Sequence, residues 1–136
     1  MFSLLDGILV SIGNVADKGL EAAVVISKIR QAIRVAGQVQ IDPAAILNAA
    51  DRSLRTEYLD AIVTAFVGTF DCAERSFVYA SAGHPGPLVR YADGRVDVLE
   101  ESSLPLGLHV REESALLRSL ELEVVSFIRS VHRWPY

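Results

Sequence analysis

The segment Gly13–Gly19 has the clearest chemical potential in the sequence, because a predicted strand ends there in a polar turn and a helix begins at once. Such a junction presents side-chain oxygens and backbone carbonyls at one strand end, and these are the ligands that a hard divalent cation requires. Most turns of this kind only connect two elements. The segment therefore indicates a metal site only if motifs elsewhere in the chain agree with it.

Other common catalytic patterns are missing from the sequence. It contains no Cys-x-x-Cys or His-Glu-x-x-His pattern for zinc, and Gly13–Gly19 does not have the spacing of a phosphate-binding P-loop. Cys72 is followed by Arg75 after too few residues to form a phosphate-binding thiolate loop, so we interpret it as a structural cysteine in a hairpin turn. The sequence offers no protein nucleophile, and we assign no catalytic side chain.

Composition limits the class of protein. The chain has 136 residues, 51% of them hydrophobic, and a formal net charge of −4. The charges are scattered, which argues against nucleic-acid binding. No apolar run reaches the ~18 residues of a membrane span, and no basic segment precedes an apolar one at the N-terminus. A single cysteine cannot form an internal disulfide, which agrees with a reducing compartment, and we predict a soluble cytoplasmic protein. No repeat or linker divides the sequence, so residues 1–136 are predicted to form one unit.

The first half of the chain is predicted to contain one strand and two helices. Asp6-Gly7 is a hairpin signal, and a strand should run from Gly7 to about Ile12. Its hairpin partner would lie almost entirely before Met1, so we expect an N-terminal truncation. Apolar spacing predicts an amphipathic helix over 18–38, and Asp42-Pro43 should start a second helix that ends near Arg55.

The second half is predicted to consist mainly of strands. The segment 61–70 is apolar on both alternating faces, as in a central strand, and 76–82 should form an antiparallel hairpin with it. Shorter strands are expected over 88–91 and 96–99, and a last one over 121–128. The predicted class is α+β, with helices packed on a mainly antiparallel sheet.

Four motifs in order resemble the SpoIIE/RsbU branch of the metal-dependent protein serine/threonine phosphatases, the PPM class. The resemblance extends over residues 4–110, and the ordered set is far more specific than any single motif. The motifs are Gly13–Leu20 followed by Ala22-Ala23, Ala65–Asp71, Tyr79–Leu88 and Leu104–Leu108.

The resemblance implies a sandwich of two antiparallel β-sheets flanked by helices, with two Mn²⁺ or Mg²⁺ ions at one edge. Paired metal ions lower the pKa of a bridging water and hold the phosphoryl oxygens, so that no protein nucleophile is needed. The implied reaction is hydrolysis of phosphoserine or phosphothreonine on a phosphorylated regulatory protein such as an anti-sigma-factor antagonist.

The metal-bridging aspartate of the family corresponds to Asn14, and Val15 would offer its backbone carbonyl. An amide oxygen can ligate a hard cation but bridges two cations poorly. An upstream Gly-Gly-Asp segment would lie before Met1, and the Thr-Asp-Gly segment expected after Leu108 is not present. We therefore expect little or no turnover and doubtful metal binding. A non-catalytic pseudophosphatase module and a truncated fragment remain alternatives.

Two further parts of the motifs allow more than one interpretation. Asp17 either substitutes as a ligand, directly or through water, or is a solvated or helix-capping carboxylate at the N-terminus of the first helix, beside Lys18 and Gly19, and we favour the second interpretation. In Gly83-His84-Pro85, an exposed His84 could donate a proton to a leaving alkoxide. The alternative, which we favour, is that the histidine shapes a loop that its glycine and proline residues already constrain.

The expected truncation also bears on self-association. If flanking strands are missing, the inward-facing residues Val10, Phe66 and Phe70 would lose their cover. An exposed apolar patch would favour dimerisation.

Overall fold

A computed structural model describes most of the chain: residues 2–4, 7–16, 20–58, 60–71, 73–74, 76–99, 104–107, 117–121 and 125–127. In chain order the elements are β1 (Phe2–Leu4), β2 (Gly7–Val15), α1 (Leu20–Val39), α2 (Pro43–Glu57), β3 (Val63–Asp71), β4 (Ser76–Ala82), β5 (Leu88–Tyr91), β6 (Val96–Val98), β7 (Leu117–Glu121) and β8 (Val125–Phe127). No helix in the described part of the chain has the length and apolar character needed to cross a membrane.

The strands form two antiparallel sheets. Five of them are hydrogen-bonded in the order β1-β2-β3-β4-β7, and three more in the order β6-β5-β8. The central strand is β3, which pairs with β2 along nine residues and with β4 along six. Both faces of β3 are covered, as its two-sided apolar pattern predicts. The predicted α+β class with antiparallel sheets is confirmed.

The two helices pack on one face of the larger sheet. Asp42 caps α2, because its side chain accepts a hydrogen bond of 3.0 Å from the Ala44 N–H, and Pro43 occupies the first turn as predicted. The residues of the apolar stripe of α2 are at most 1% exposed, and three residues of α1 are at most 4% exposed. These residues are Ile46, Leu47, Ala50 and Leu54 of α2 and Val25, Ile29 and Ile33 of α1.

The opposite face of the larger sheet packs against the smaller sheet through aromatic side chains. Phe66, Phe77 and Tyr79 form a stacked group that contacts Val89 of β5. Phe70 adds to it, with its ring centroid 4.4 Å from that of Phe77. This packing identifies the architecture as a two-sheet sandwich with one core under the helices and a second core between the sheets.

The expectation that inward-facing residues lose their cover is wrong for Phe66, which is only 2% exposed because the aromatic group surrounds it. Val10 and Phe70 are half-buried. Among the residues whose exposure is described, the most exposed large apolar side chains are instead at the end of α1 and just after it, where Val39 is 86% and Ile41 71% exposed.

Three strands differ from the sequence prediction, one through a local hairpin and two through pairing with distant parts of the chain. β1 is present as a short hairpin partner of β2, whereas we expected it to lie almost entirely before Met1. β2 continues past Ile12 to Val15 because Gly13–Val15 pair with Val63–Ala65. The single strand predicted over 121–128 is wrong, since β7 joins the larger sheet and β8 the smaller one.

Candidate functional site

The candidate site lies at the end of β2, where the predicted metal motif begins. Asn14 is the register partner of Thr64, and Val15 is the register partner of Val63. Because successive side chains of a strand alternate between faces, Val15 belongs to the helix-side core at 8% exposure and Asn14 belongs to the opposite face. Asn14 is half-buried there. The amide therefore stands at the edge of the sandwich, on the face that the smaller sheet covers.

His84 joins this edge from the loop after β4. Its ring Nδ1 is hydrogen-bonded to Thr64 Oγ1 at 3.0 Å, and its backbone carbonyl accepts a hydrogen bond of 3.1 Å from Ser81 Oγ. The side chain is only 2% exposed. The proton-donor interpretation assumed an exposed histidine, and that assumption is wrong. His84 instead connects the loop to the strand position directly opposite Asn14.

A second loop, residues 104–107, closes the same edge. Leu106 and Val63 exchange two backbone hydrogen bonds, of 2.8 and 3.1 Å, so the loop extends the sheet beyond the end of β4. Gly83 has a φ of +65°, and a Cβ at this position would meet Pro105 at 2.5 Å. The two motif loops are therefore packed so closely that only glycine fits between them.

A buried carboxylate on α2 holds the second loop in place. Asp51 is 6% exposed, and it accepts a hydrogen bond of 2.8 Å from the Gly107 N–H and pairs with Arg55 at 2.8 Å. Gly107 has a φ of +85°, and a Cβ there would lie 2.0 Å from the Ala61 carbonyl oxygen. The loop thus depends on one acid and one glycine for its position against the start of β3.

The other predicted site residues are distributed as follows. Gly13 is exposed, and a Cβ on it would meet the Thr64 carbonyl oxygen at 2.9 Å, which explains the glycine by close backbone approach. Pro85 is exposed in the loop after His84. Asp17, Lys18 and Gly19 lie outside the described residues, and so does Cys72. The structure therefore brings together Asn14, Val15 and the His84 loop.

The donors that the described residues place at this edge do not by themselves fit a dinuclear metal centre. Asn14 offers a neutral amide oxygen, and Val15 can add only a backbone carbonyl. Within the part of the chain that the structure describes, no group of three or more His, Cys, Asp or Glu side chains could hold a metal ion. Two dications need several anionic oxygens around them, and these residues supply none.

The chain is similar to known proteins of one family. The family model of Stage II sporulation protein E (SpoIIE) matches residues 6–124. The chain belongs to the SpoIIE family, and its fold is that of the PP2C-like phosphatase domains. The class predicted from the four sequence motifs is confirmed.

Individual relatives agree with this assignment. The chain is 31% identical over 106 residues to the phosphoserine phosphatase RsbU of Bacillus subtilis (strain 168), an alignment that covers 76% of this chain and 31% of RsbU. The crystal structure of the RsbU and RsbW domains of Rv1364c from Mycobacterium tuberculosis matches with a TM-score of 0.77 at 31% identity, over 88% of this chain and 33% of that one. RsbX, solved in complex with magnesium, shares the fold with a TM-score of 0.72 at 13% identity, over 88% of this chain and 56% of that one. The chain thus spans about a third of the length of the curated relative.

Sequence reasoning missed two residues of the site. Thr64 carries no motif signal, since a threonine in a strand is common and its partner His84 is distant in sequence. Asp51 did leave a signal, because it stands on the apolar stripe of α2 between Ala50 and Leu54. An acid at a core position predicts a buried hydrogen-bond partner.

Proposed function

We propose that the chain is a SpoIIE/RsbU-type protein serine/threonine phosphatase domain whose hydrolytic activity is impaired. The observation that carries the proposal is the position of Asn14, which stands where the family has its metal-bridging aspartate. In the described residues, the loops around Asn14 are held by the hydrogen bond between His84 and Thr64 and by the hydrogen bond from the Gly107 N–H to Asp51. The impairment would therefore come from the ligand set and not from a disordered fold.

The physical reason lies in charge. A carboxylate can bridge two dications because each of its oxygens carries negative charge, whereas an amide has one neutral oxygen acceptor. RsbX, a relative with the same fold, was solved with magnesium, which supports Mg²⁺ or Mn²⁺ as the metal of the family. For this chain, we propose that metal binding is weak and that hydrolysis of phosphoserine or phosphothreonine is slow or absent.

The proposal extends to partner and compartment. The relative RsbU is named a phosphoserine phosphatase, which supports a phosphorylated regulatory protein, such as an anti-sigma-factor antagonist, as the partner in sigma-factor regulation. The scattered charge of the chain supports a protein and not a nucleic acid. We further propose that residues 1–136 are part of one cytoplasmic domain.

A second candidate function is a non-catalytic interaction module that keeps the sandwich and binds a phosphorylated partner without hydrolysing it. Asn14 favours this function directly, because the substitution removes charge without removing the hydrogen-bonding capacity of the side chain. Self-association of the chain remains a prediction, which sedimentation velocity would test.

The test is a hydrolysis assay with Mn²⁺ on p-nitrophenyl phosphate and on a phosphoserine protein. We expect turnover indistinguishable from the protein-free blank. Hydrolysis at the rate of an active family member, such as RsbU assayed in parallel, would overturn the proposal. Retained binding of the phosphoserine protein without turnover would select the interaction module.

A matched pair of variants separates charge at the site from charge in general. Asn14→Asp restores the family carboxylate, and Asn48→Asp makes the same change at a half-buried position of α2, a helix on the opposite face of the larger sheet from the Asn14 side chain. We expect Mn²⁺ affinity to increase in Asn14→Asp alone. An equal increase in both variants would show that Asn14 has no special role.

A further inference from the structure

A cavity lies on the far side of the larger sheet from Asn14, between α1 and β2. Its volume is about 650 Å³, within the range of sites that hold a small ligand or a short peptide segment. The helix contributes the half-buried Ile26 and, as part of the core, Ile29 and Ile33 at only 3% and 4% exposure, and the strand contributes Ser11 and Gly13. We call this cavity the α1 groove.

Two arginines line the α1 groove. Arg30 and Arg34 line it and are exposed, and Gln31 and Ser27 beside them add polar groups. Four residues on a helix correspond to about 6 Å along its axis, so the two guanidinium groups lie on one side, one turn apart. The α1 groove therefore combines one accessible apolar side chain, Ile26, with two cations that start one helical turn apart.

Neither arginine is neutralised by the described part of the chain. The ion pairs found there are Lys28–Glu57, Arg55–Asp51 and Arg95–Asp97. No Asp or Glu is among the described residues that line the α1 groove. In a chain with a net charge of −4, this is a local concentration of positive charge.

From this geometry we propose that the α1 groove binds an acidic segment of a partner protein. Guanidinium groups pair with carboxylates in bidentate fashion, which gives direction as well as attraction. Carboxylates two residues apart on an extended chain are about 7 Å apart, close to the spacing of Arg30 and Arg34. An apolar side chain next to them would pack on Ile26. The α1 groove shares Gly13 with the candidate site, but the side chain of Asn14 belongs to the other face of the sheet, so the interaction does not use the amide on which the proposed phosphatase chemistry depends.

The experiment uses a dye-labelled hexapeptide of alternating Glu and Leu as the probe and the same peptide with Gln in place of Glu as its control. Fluorescence polarisation with the full chain should show binding of the acidic peptide, weakened by added salt, and no binding of the neutral one. Equal binding of both peptides, or no binding of the acidic one, would overturn the proposal.

Variants locate the binding. The double substitution Arg30→Ala/Arg34→Ala should weaken the acidic peptide about tenfold or more, in line with the loss of two exposed charge pairs. Arg52→Ala, which removes an exposed arginine of α2, should leave binding unchanged. An equal loss in Arg52→Ala would show non-specific attraction and would contradict the assignment. Thermal melts verify that each variant is folded.

A second copy of the chain is the main competing occupant. Sedimentation velocity without peptide distinguishes it, because the proposal predicts that Arg30→Ala/Arg34→Ala leaves the oligomeric state unchanged. A dimer that this double variant converts to monomer would assign the α1 groove to self-association and would overturn the acidic partner.

Discussion

The framework of the candidate site and its ligand set differ sharply in how completely each is built. The framework consists of the contacts that hold the two loops in place. The buried Asp51 accepts a hydrogen bond from the Gly107 N–H, and His84 is hydrogen-bonded to Thr64. Gly83 and Gly107 occupy backbone positions that no other residue fits. At the position that we propose for a metal ligand stands a neutral amide, Asn14. The contrast teaches that the fold of this edge and the metal binding proposed for it would depend on different residues.

The two regions can separate because they use different physics. The framework depends on packing and on backbone hydrogen bonds, so a wrong residue there leaves a buried group unsatisfied or overlapping. The proposed ligand set depends on the charge of its side chains, and exchanging one carboxylate for an amide of the same shape, as at Asn14, changes little in packing. We therefore expect substitutions in the framework to change stability and a substitution at Asn14 to change metal affinity.

The largest expected effect follows from Gly107→Ala. The new Cβ would lie 2.0 Å from the Ala61 carbonyl oxygen at a φ of +85°, and close overlap plus left-handed strain should lower the free energy of unfolding by about 3 kcal/mol. Gly94→Ala is the matched control, because Gly94 has a φ of +90° but nothing within 4 Å. It should lose only about 1 kcal/mol. Urea denaturation of both variants measures the difference, and equal losses would contradict the role of close packing.

Asp51→Ala should come next. It leaves the Gly107 N–H without its acceptor in a buried position, and we expect a loss of about 2 kcal/mol in the free energy of unfolding. Asp51→Asn keeps an acceptor oxygen and removes the charge that Arg55 pairs with, so its loss should be smaller. Chemical denaturation compares the two. If Asp51→Asn lowered the free energy of unfolding as much as Asp51→Ala, the ion pair with Arg55 would contribute more to stability than the hydrogen bond to Gly107.

Thr64→Val tests the link to His84. Valine keeps the shape of threonine but removes the hydroxyl that His84 Nδ1 contacts at 3.0 Å, and the expected loss is about 1 kcal/mol. Thr56→Val is a control on the surface of α2, where the hydroxyl donates a hydrogen bond to the Arg52 carbonyl of its own helix. Unchanged stability in Thr64→Val would show that the histidine does not depend on this partner.

The smallest effect is expected at the ion pair between α1 and α2. Lys28 Nζ lies 2.8 Å from Glu57 Oε2, and the hydrogen bond to Glu57, aided by the charge of Glu57, raises the pKa of Lys28 above its ordinary 10.5. A raised pKa means that the stabilisation is complete below 10.5 and disappears as pH rises through the higher folded value. The Tm of Lys28→Ala should therefore be slightly lower than that of the unmodified chain at neutral pH, and the difference should vanish in strong alkali. A Tm difference that grows as pH rises would contradict the raised pKa of Lys28.

Local signals predicted the helices well. α2 was predicted from Asp42-Pro43 and from apolar spacing, and its N-terminus and its buried residues agree because capping and amphipathicity act within a few residues. α1 begins and ends within two residues of its predicted bounds. The four motifs likewise led to the correct family, whose model matches residues 6–124.

Partners distant in sequence explain what was not predicted. β2 extends to Val15 because β3 offers hydrogen bonds there, and the C-terminal segment divides between two sheets because each half finds a different neighbour. The burial of His84 depends in the same way on Thr64, twenty residues away. None of these pairings has a local signature, so the sequence could not reveal which side chains complete the site.

The most direct test of the central claim is isothermal titration calorimetry of the chain with Mn²⁺. The account predicts no tight binding of two ions, because the site edge supplies an amide at Asn14 and no cluster of anionic side chains among the described residues. Tight binding with a stoichiometry of two ions per chain, lost in Asn14→Ala, would contradict it.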